Sequence, residues 1–555
     1  MSNYLQALNL SLSTESPSGK LRQQVLESTP WVPTPTTNVS YVAANRLLII
    51  ADLETAQEIE TQLPEKILSY IAVPADKSGS AKPANAFNCA ELVVSGYLGR
   101  FQILIDQRQD SDDGDNNNLA KIFNIPSGLF DQILSCGKEP LISAAIKPPG
   151  YYHVDQSLAS LEAVLASIPE LIGEFEKPKY FDYNPDICAH SRSGVSGCSR
   201  CLDACPTGAI FSLAESIEVD SHLCQGGGAC ASSCPTGAIS YVYPRAAEQI
   251  EFLRVMLKSL RQNNDNHGVT LLVFDNEHGR QSVEASAAQL NGQVIPFVVE
   301  DIGSVGLDLL ASALAYGANR VSLLVPANIS AQVTDILEQN LAVVKAVLEQ
   351  TRCSTHQIEI ISDLDELLRG EVSEHIEHAA IFAPMGDKRS IIRAALSFFS
   401  EMPESSVESA QLPKGSLFGQ VHLNADACTL CMGCVSVCPA GALLAGGETP
   451  ALKFIEANCV QCGICVRACP ETAVTLESRL HFGYNIVNKV RVLKQEAPFR
   501  CIDCGKPFAT KSMIAKMTQQ LQGHWMFEKP DALNRLKMCG DCRVKDMFDQ
   551  DDMLY

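Results

Sequence analysis

The chain is short of charge, with 19% Asp, Glu, Lys and Arg among 555 residues, and shortest of cations, 43 against 64 acidic residues. So little charge beside 46% hydrophobic residues excludes a largely disordered chain and leaves ample material for cores. The formal charge of −21 excludes nucleic-acid binding, which needs clustered Lys and Arg. Two readings of the acidic surface stay open: steering toward basic partners, or solubility. No stretch approaches 18 consecutive apolar residues, so no membrane span is expected. Met1 to Gln24 has neither a basic segment leading into an apolar run nor a twin arginine, so the expected location is cytoplasmic. Neither G-x-G-x-x-G nor G-x-x-x-x-G-K-[ST] occurs at a strand-to-helix turn, which removes the dinucleotide fingerprint and the P-loop.

What the chain has is cysteine, 22 residues mostly in C-x2-C and C-x3-C-P spacings that a disulfide framework has no reason to prefer. Cys428-x2-Cys431-x2-Cys434-x3-Cys438-Pro439 is repeated as Cys459-x2-Cys462-x2-Cys465-x3-Cys469-Pro470. Each run is the bacterial ferredoxin signature, in which three thiolates grip one cube and the fourth turns to its neighbour. The crossing rule assigns Cys428, Cys431, Cys434 and Cys469 to one [4Fe-4S] cluster, and Cys459, Cys462, Cys465 and Cys438 to another.

An earlier module departs from this pattern. Cys198-x2-Cys201-x3-Cys205-Pro206 lacks its first ligand, because Val195 stands there, and Cys188 can supply the thiolate through a longer loop. In Cys224-Gln-Gly-Gly-Gly-Ala-Cys230-x3-Cys234-Pro235, Gly227 occupies the second cysteine position. One [4Fe-4S] cluster then takes Cys188, Cys198, Cys201 and Cys234, and Cys205, Cys224 and Cys230 are left for a second. Three thiolates fit a [3Fe-4S] cluster; a [4Fe-4S] cluster with a water or hydroxide ligand, or an empty vestigial site, stays open.

In the tail, Cys501-x2-Cys504 and Cys539-x2-Cys542 form two knuckles suited to one closed tetrahedral site, expected to hold structural zinc. Rubredoxin-like iron, a redox dithiol or a cluster are the alternatives. Cys89, Cys136 and Cys353 lack partner spacing and read as core residues.

The expected organisation mixes α/β and α+β domains. Residues 1–40 read as an irregular leader and 41–180 as an α/β domain, with strands at Arg46–Asp52, Ile67–Val73, Glu91–Val94 and Phe101–Ile105, a polar loop at Ser111–Asn118 and a helix over Ser157–Phe175. A first ferredoxin-like module spans 181–245. Strands and helices alternate over 266–400, which implies a doubly wound parallel sheet with strands at Val269–Asp275, Val294–Val299, Arg320–Val325, Ile358–Ile361 and Ala379–Ala383. A linker at 401–416 leads to the second ferredoxin-like module at 417–480, and a zinc-ribbon-like four-cysteine region fills 495–545. The loops Asp275–Arg280 and Asp301–Gly306 follow strands at the carboxyl edge, where open α/β sheets bind ligands. Glu277 and His278 read as a capping or docking loop, and no catalytic set can be assembled.

The stretch from Lys177 to Pro244, with FRCIDCGKPFATKSMI and MCGDCR in the tail, resembles proteobacterial multi-cluster 4Fe-4S ferredoxin-type proteins associated with formate dehydrogenase. VIPFVVEDIGSVGLDLLASALAYGANRVSLLV resembles the delta-type electron-transfer domain of methanogen hydrogenase and heterodisulfide reductase systems, whose two-iron cluster cysteines are replaced here by Phe274–Gly279. The resemblance implies an electron relay serving a dehydrogenase, formate dehydrogenase being the one it points to. A catalytic oxidoreductase subunit and a redox-sensing or maturation factor are the rival expectations.

Overall fold

The computed structural model describes residues 4–74, 83–89, 91–105, 117–155, 158–263, 268–353, 356–368, 378–403, 405–527 and 530–551. Two parallel sheets form the scaffold. The first has five strands in the spatial order Ala86–Cys89, Leu68–Pro74, Arg46–Ile50, Gln132–Cys136 and Tyr151–Val154. Arg46–Ile50 is buried along nearly its whole length because both faces of a parallel sheet are covered, which is why RLLII shows no alternation. Leu92–Ser95 and Gln102–Ile105 form a separate antiparallel hairpin. Most of the Ser111–Asn118 loop lies outside the described residues.

The second sheet has four strands in the order Val294–Val299, Thr270–Asp275, Arg320–Leu324 and Gln357–Ile361. The wholly buried helix Leu307–Ala315 packs among the helices Ala246–Gln262, Lys388–Phe398 and Ala331–Gln350. Ala379–Ala383 is not a strand. It runs as irregular chain, where the Ala380 N–H donates to Ala315 O (2.7 Å) and Phe382 packs on Tyr316, so local interactions replace a fifth ladder.

Three other segments differ from expectation. Residues 1–40 are not irregular throughout: helices span Tyr4–Leu8 and Pro17–Ser28, the second capped by Ser16 Oγ accepting from the Gly19 N–H (3.0 Å), with Pro17 in the first turn. They belong to the core of the second sheet through Tyr4, Leu8, Val25 and Leu26. Fully buried Arg22 donates to Asn291 O, Val294 O and Ser13 O (2.8, 3.0 and 2.8 Å). The helix expected over Ser157–Phe175 stops at Ser167. Pro169 follows, and the polar alternation GEFEKP forms the strand Gly173–Pro178, paired antiparallel with Asn38–Ala43. The linker carries the strand Ser409–Gln411, which joins Val474–His481 of the second cysteine module.

Each cysteine module pairs short antiparallel strands around brief helices. The first pairs Phe181–Tyr183 with Ile239–Tyr241 and Ile210–Leu213 with Ser216–Val219. The second pairs Gly419–Leu423 with Val474–His481 and Leu443–Ala445 with Ala451–Phe454, and Arg491–Gln495 extends it. The tail departs from a ribbon. One knuckle sits in the hairpin Pro498–Arg500 and Pro507–Thr510, but the other opens the helix Gly540–Asp551, whose polar sequence GDCRVKDMFDQD offers no strand pattern.

Candidate metal centres

Three cavities are each lined by four cysteines. Cys428, Cys431, Cys434 and Cys469 line one with Leu423, Leu430, Leu452 and Val474. Cys438, Cys459, Cys462 and Cys465 line one with Val421, Leu443, Ile464 and Leu476. Cys188, Cys198, Cys201 and Cys234 line the third with Tyr183, Ile217 and Ile239. Each chamber therefore draws one cysteine from a different run, and its walls are mostly apolar.

The loops achieve this through left-handed backbone. Leu430 and Met432 have φ of 54° and 61°, and Gln461 and Gly463, at matching positions, 55° and 80°. Such turns aim amides at sulfur: Leu430 N–H donates to Cys428 Sγ (3.4 Å), Ala442 N–H to Cys438 Sγ (3.3 Å) and Ala473 N–H to Cys469 Sγ (3.3 Å). Gln461 Nε2 adds a bond to Cys459 Sγ (3.2 Å). Donors at sulfur favour its anionic form, so the donor set suits iron–sulfur clusters. Burial, then Cys428, Cys431 and Cys469, push the Cys434 thiol up to about 12. Metal binding must therefore displace protons from these thiols.

Cys205, Cys224 and Cys230 also come together, since burial and then Cys224 and Cys205 raise the Cys230 thiol well above its ordinary value. Their loop repeats the backbone of the complete ones: Gly226 and Gly228 take φ of 82° and 70°, where Gln461 and Gly463 stand in the second module. Lys177 Nζ donates to the carbonyls of His222 and Cys224 (2.7 and 2.5 Å), and burial lowers its ammonium to about 8. Cys205 and Cys234 each have a threonine hydroxyl near sulfur, Thr207 at 3.3 Å and Thr236 at 3.6 Å.

The two modules meet at the third and second chambers. Burial raises Cys198 to about 11, and among the smaller causes are Cys234 of its own group and Cys462 of the other module. A Cβ on Gly197 would lie 2.5 Å from the Ile464 side chain, and Arg467 donates to Gly197 O (2.7 Å). Arg389 spans the junction, donating to Pro235 O (3.2 Å) and Cys459 O (2.9 Å), while Lys388 Nζ donates to the carbonyls of Ala231, Ser232 and Cys234 (2.6, 2.8 and 3.1 Å). Spacing gave no hint of these two cations, which come from the α/β domain.

Cys501, Cys504, Cys539 and Cys542 place their sulfurs within 4.8 Å of one another. Cys504 and Cys539 are 3.7 Å apart, close to the roughly 3.8 Å separation that zinc–sulfur bonds of about 2.3 Å impose in a tetrahedron. The Cys539 N–H donates to Cys501 Sγ (3.3 Å). Cys89, Cys136 and Cys353 lie in the α/β cores, Cys136 only half-buried. At the sheet edge, the Asp275 carboxylate accepts from the Glu277 and Gly279 N–H groups (2.9 and 3.1 Å), so that loop caps a helix, and Glu277 and His278 are exposed.

The family model of the 4Fe-4S dicluster domain matches residues 420–470, and that of the 4Fe-4S binding domain matches residues 217–240. No curated protein matches the chain. Among the described residues no helix is long and apolar enough to cross a membrane. Two segments of the chain thus match ferredoxin-type 4Fe-4S domains, and the cysteines within them form no disulfides.

Proposed function

We propose that the protein relays single electrons through a row of clusters between a dehydrogenase and an acceptor, with formate dehydrogenase the partner suggested by the sequence resemblance. The ligand sets are the four groups above: three complete sets for [4Fe-4S] clusters, and Cys205, Cys224 and Cys230 for a fourth centre. The carrying observation is the junction where Gly197, beside Cys198, packs on Ile464 and accepts from Arg467 of the Cys462 loop (2.7 Å). It joins two ferredoxin modules into one path instead of two separate carriers.

Iron–sulfur clusters supply reversible one-electron exchange at potentials spanning about −700 to +450 mV. The protein's residues set where in that range each lies. Amides at Cys428, Cys438 and Cys469 and the cations Lys388 and Arg389 stabilise the more negative state. Buried Ile464 keeps water from the junction, whereas exposed Cys431 puts its group within reach of a partner. The Cys501 group, closed by four thiolates, has no open position and serves structure, with zinc as its ion. Ligation by so many thiolates suits a reducing, cytoplasmic compartment.

Deleting the protein should abolish transfer to the physiological acceptor while sparing dye-linked dehydrogenase activity. Loss of the dye-linked activity as well would reassign the protein as a maturation factor. Co-purification from native extract identifies the dehydrogenase.

A further inference from the structure

The centre with three cysteines has a neighbour that motif spacing could not reveal. Gly227 stands where Cys431 and Cys462 stand in the complete loops, between left-handed residues that match theirs. Its φ is not in the left-handed region, and a Cβ built on it would meet one atom within 4 Å, Asp301 Oδ2 at 3.9 Å. The carboxylate therefore lies beside the place from which the missing thiolate would project.

Asp301 is held there from the α/β domain. Its Oδ1 accepts from the Gly303 N–H (2.8 Å), which leaves Oδ2 on the side of Gly227. The loop bearing it is packed hard on the cysteine loop. A Cβ on Gly303 would fall 2.4 Å from Gly227 O, and one on Gly228 would fall 2.5 Å from Ser304 Cα. Ser232 Oγ also donates to Gly303 O (2.9 Å). Side chains at either glycine would force the loops apart, so their absence permits the approach.

Resting on the cluster reading above, we infer that Asp301 supplies the fourth protein ligand of the centre held by Cys205, Cys224 and Cys230, completing a four-iron cluster with a carboxylate oxygen. Carboxylate is a harder donor than thiolate and binds iron well. The doubly wound domain then completes a redox site as well as supporting it.

The test uses full-length, anaerobically purified protein oxidised with ferricyanide. Ferricyanide takes one electron from a four-iron cluster; a corner held by no protein ligand then leaves as ferrous ion, and the three-iron product is paramagnetic. Wild-type protein should give little of that signal. Asp301→Ala should raise it to one three-iron centre per chain, and Asp301→Ala with Gly227→Cys should remove it again. Asp301→Asn keeps an acceptor for the Gly303 N–H and guards against misfolding; it should behave like the alanine variant while module 2 keeps its own signals. The inference is overturned if Asp301→Asn and wild type give the same three-iron signal, whether large or absent. A colourless wild-type protein without acid-labile sulfide would instead overturn the relay reading.

Discussion

The two ferredoxin modules solve one problem with different resources. The second holds all eight cysteines of the double motif in its own 42 residues from Cys428 to Cys469, and bends its loops with Leu430, Met432 and Gln461 in left-handed backbone. The first has seven cysteines, reaches back to Cys188 for one and uses glycine at Gly226, Gly227 and Gly228. It leans on its neighbours: Lys177 holds the Cys224 loop, Lys388 holds the chain around Cys234, and the Asp301–Ser304 loop presses on Gly227 and Gly228. The second module carries every cysteine of its two groups, while the first is braced at its cysteine loops by its surroundings.

The sharpest way to break this comparison is Cys469→Ser. It should cost the cluster shared with Cys428, Cys431 and Cys434 and spare the Cys459 group, as read from iron content and the spectrum of the reduced protein. Loss of the Cys459 cluster alone would refute the crossed assignment. Next in size, stripping the tail ion with a chelator or replacing Cys539 with Ala should unfold the tail. Structural zinc contributes about 10–16 kcal/mol in finger peptides. Metal analysis with limited proteolysis checks this, and an intact, metal-free tail would contradict it.

Glu456→Ala probes the self-sufficiency of the second module. Glu456 is buried (3% exposed) and takes charged bonds from Arg479 (2.7 Å) and Arg491 (3.3 Å). Removing the carboxylate from those partly exposed cations should cost about 1–3 kcal/mol in chemical denaturation. Lys388→Met should destabilise the first module by about 1–3 kcal/mol by stripping three carbonyls of their donor. It should also lower the potential of the Cys234 cluster, which a redox titration reads; an unchanged midpoint would remove Lys388 from the tuning set.

The smallest effect is with pH. Hydrogen bonds from Gln420, His422 and Gln411 hold the Glu477 carboxyl down at about 2, against an ordinary 4.5. A depressed carboxyl stabilises the fold above about 4.5, and that contribution is lost as pH falls toward 2. Glu477→Gln should flatten the acid limb of a stability profile over that window, and an unaltered limb would discount the cluster.

The sheet strands Val294–Val299 and Arg320–Leu324 were legible because buried parallel strands write themselves as continuous apolar runs. The crossed groupings proposed for the second module rest on C-x2-C-x2-C-x3-C-P, which carries the turn and the crossing in one short segment. What escaped was non-local. The helix Pro17–Ser28 looks polar alone and Tyr4–Leu8 is little more than a single turn; both owe their place to a core formed far along the chain. Arg389 and Asp301 carry no motif; the fold brings them to Cys459 and Gly227 through tertiary packing. Ala379–Ala383 has strand-like composition but finds no ladder partner.

Arg389 has an outcome of its own. It is one buried guanidinium touching both sides of the module boundary, and two anionic clusters there would compete for a single counter-ion. With clusters in both groups, an electron on one would draw the field of that cation and make the other harder to charge. A midpoint on one side that ignores removal of the cluster on the other would show that the counter-ion is not shared.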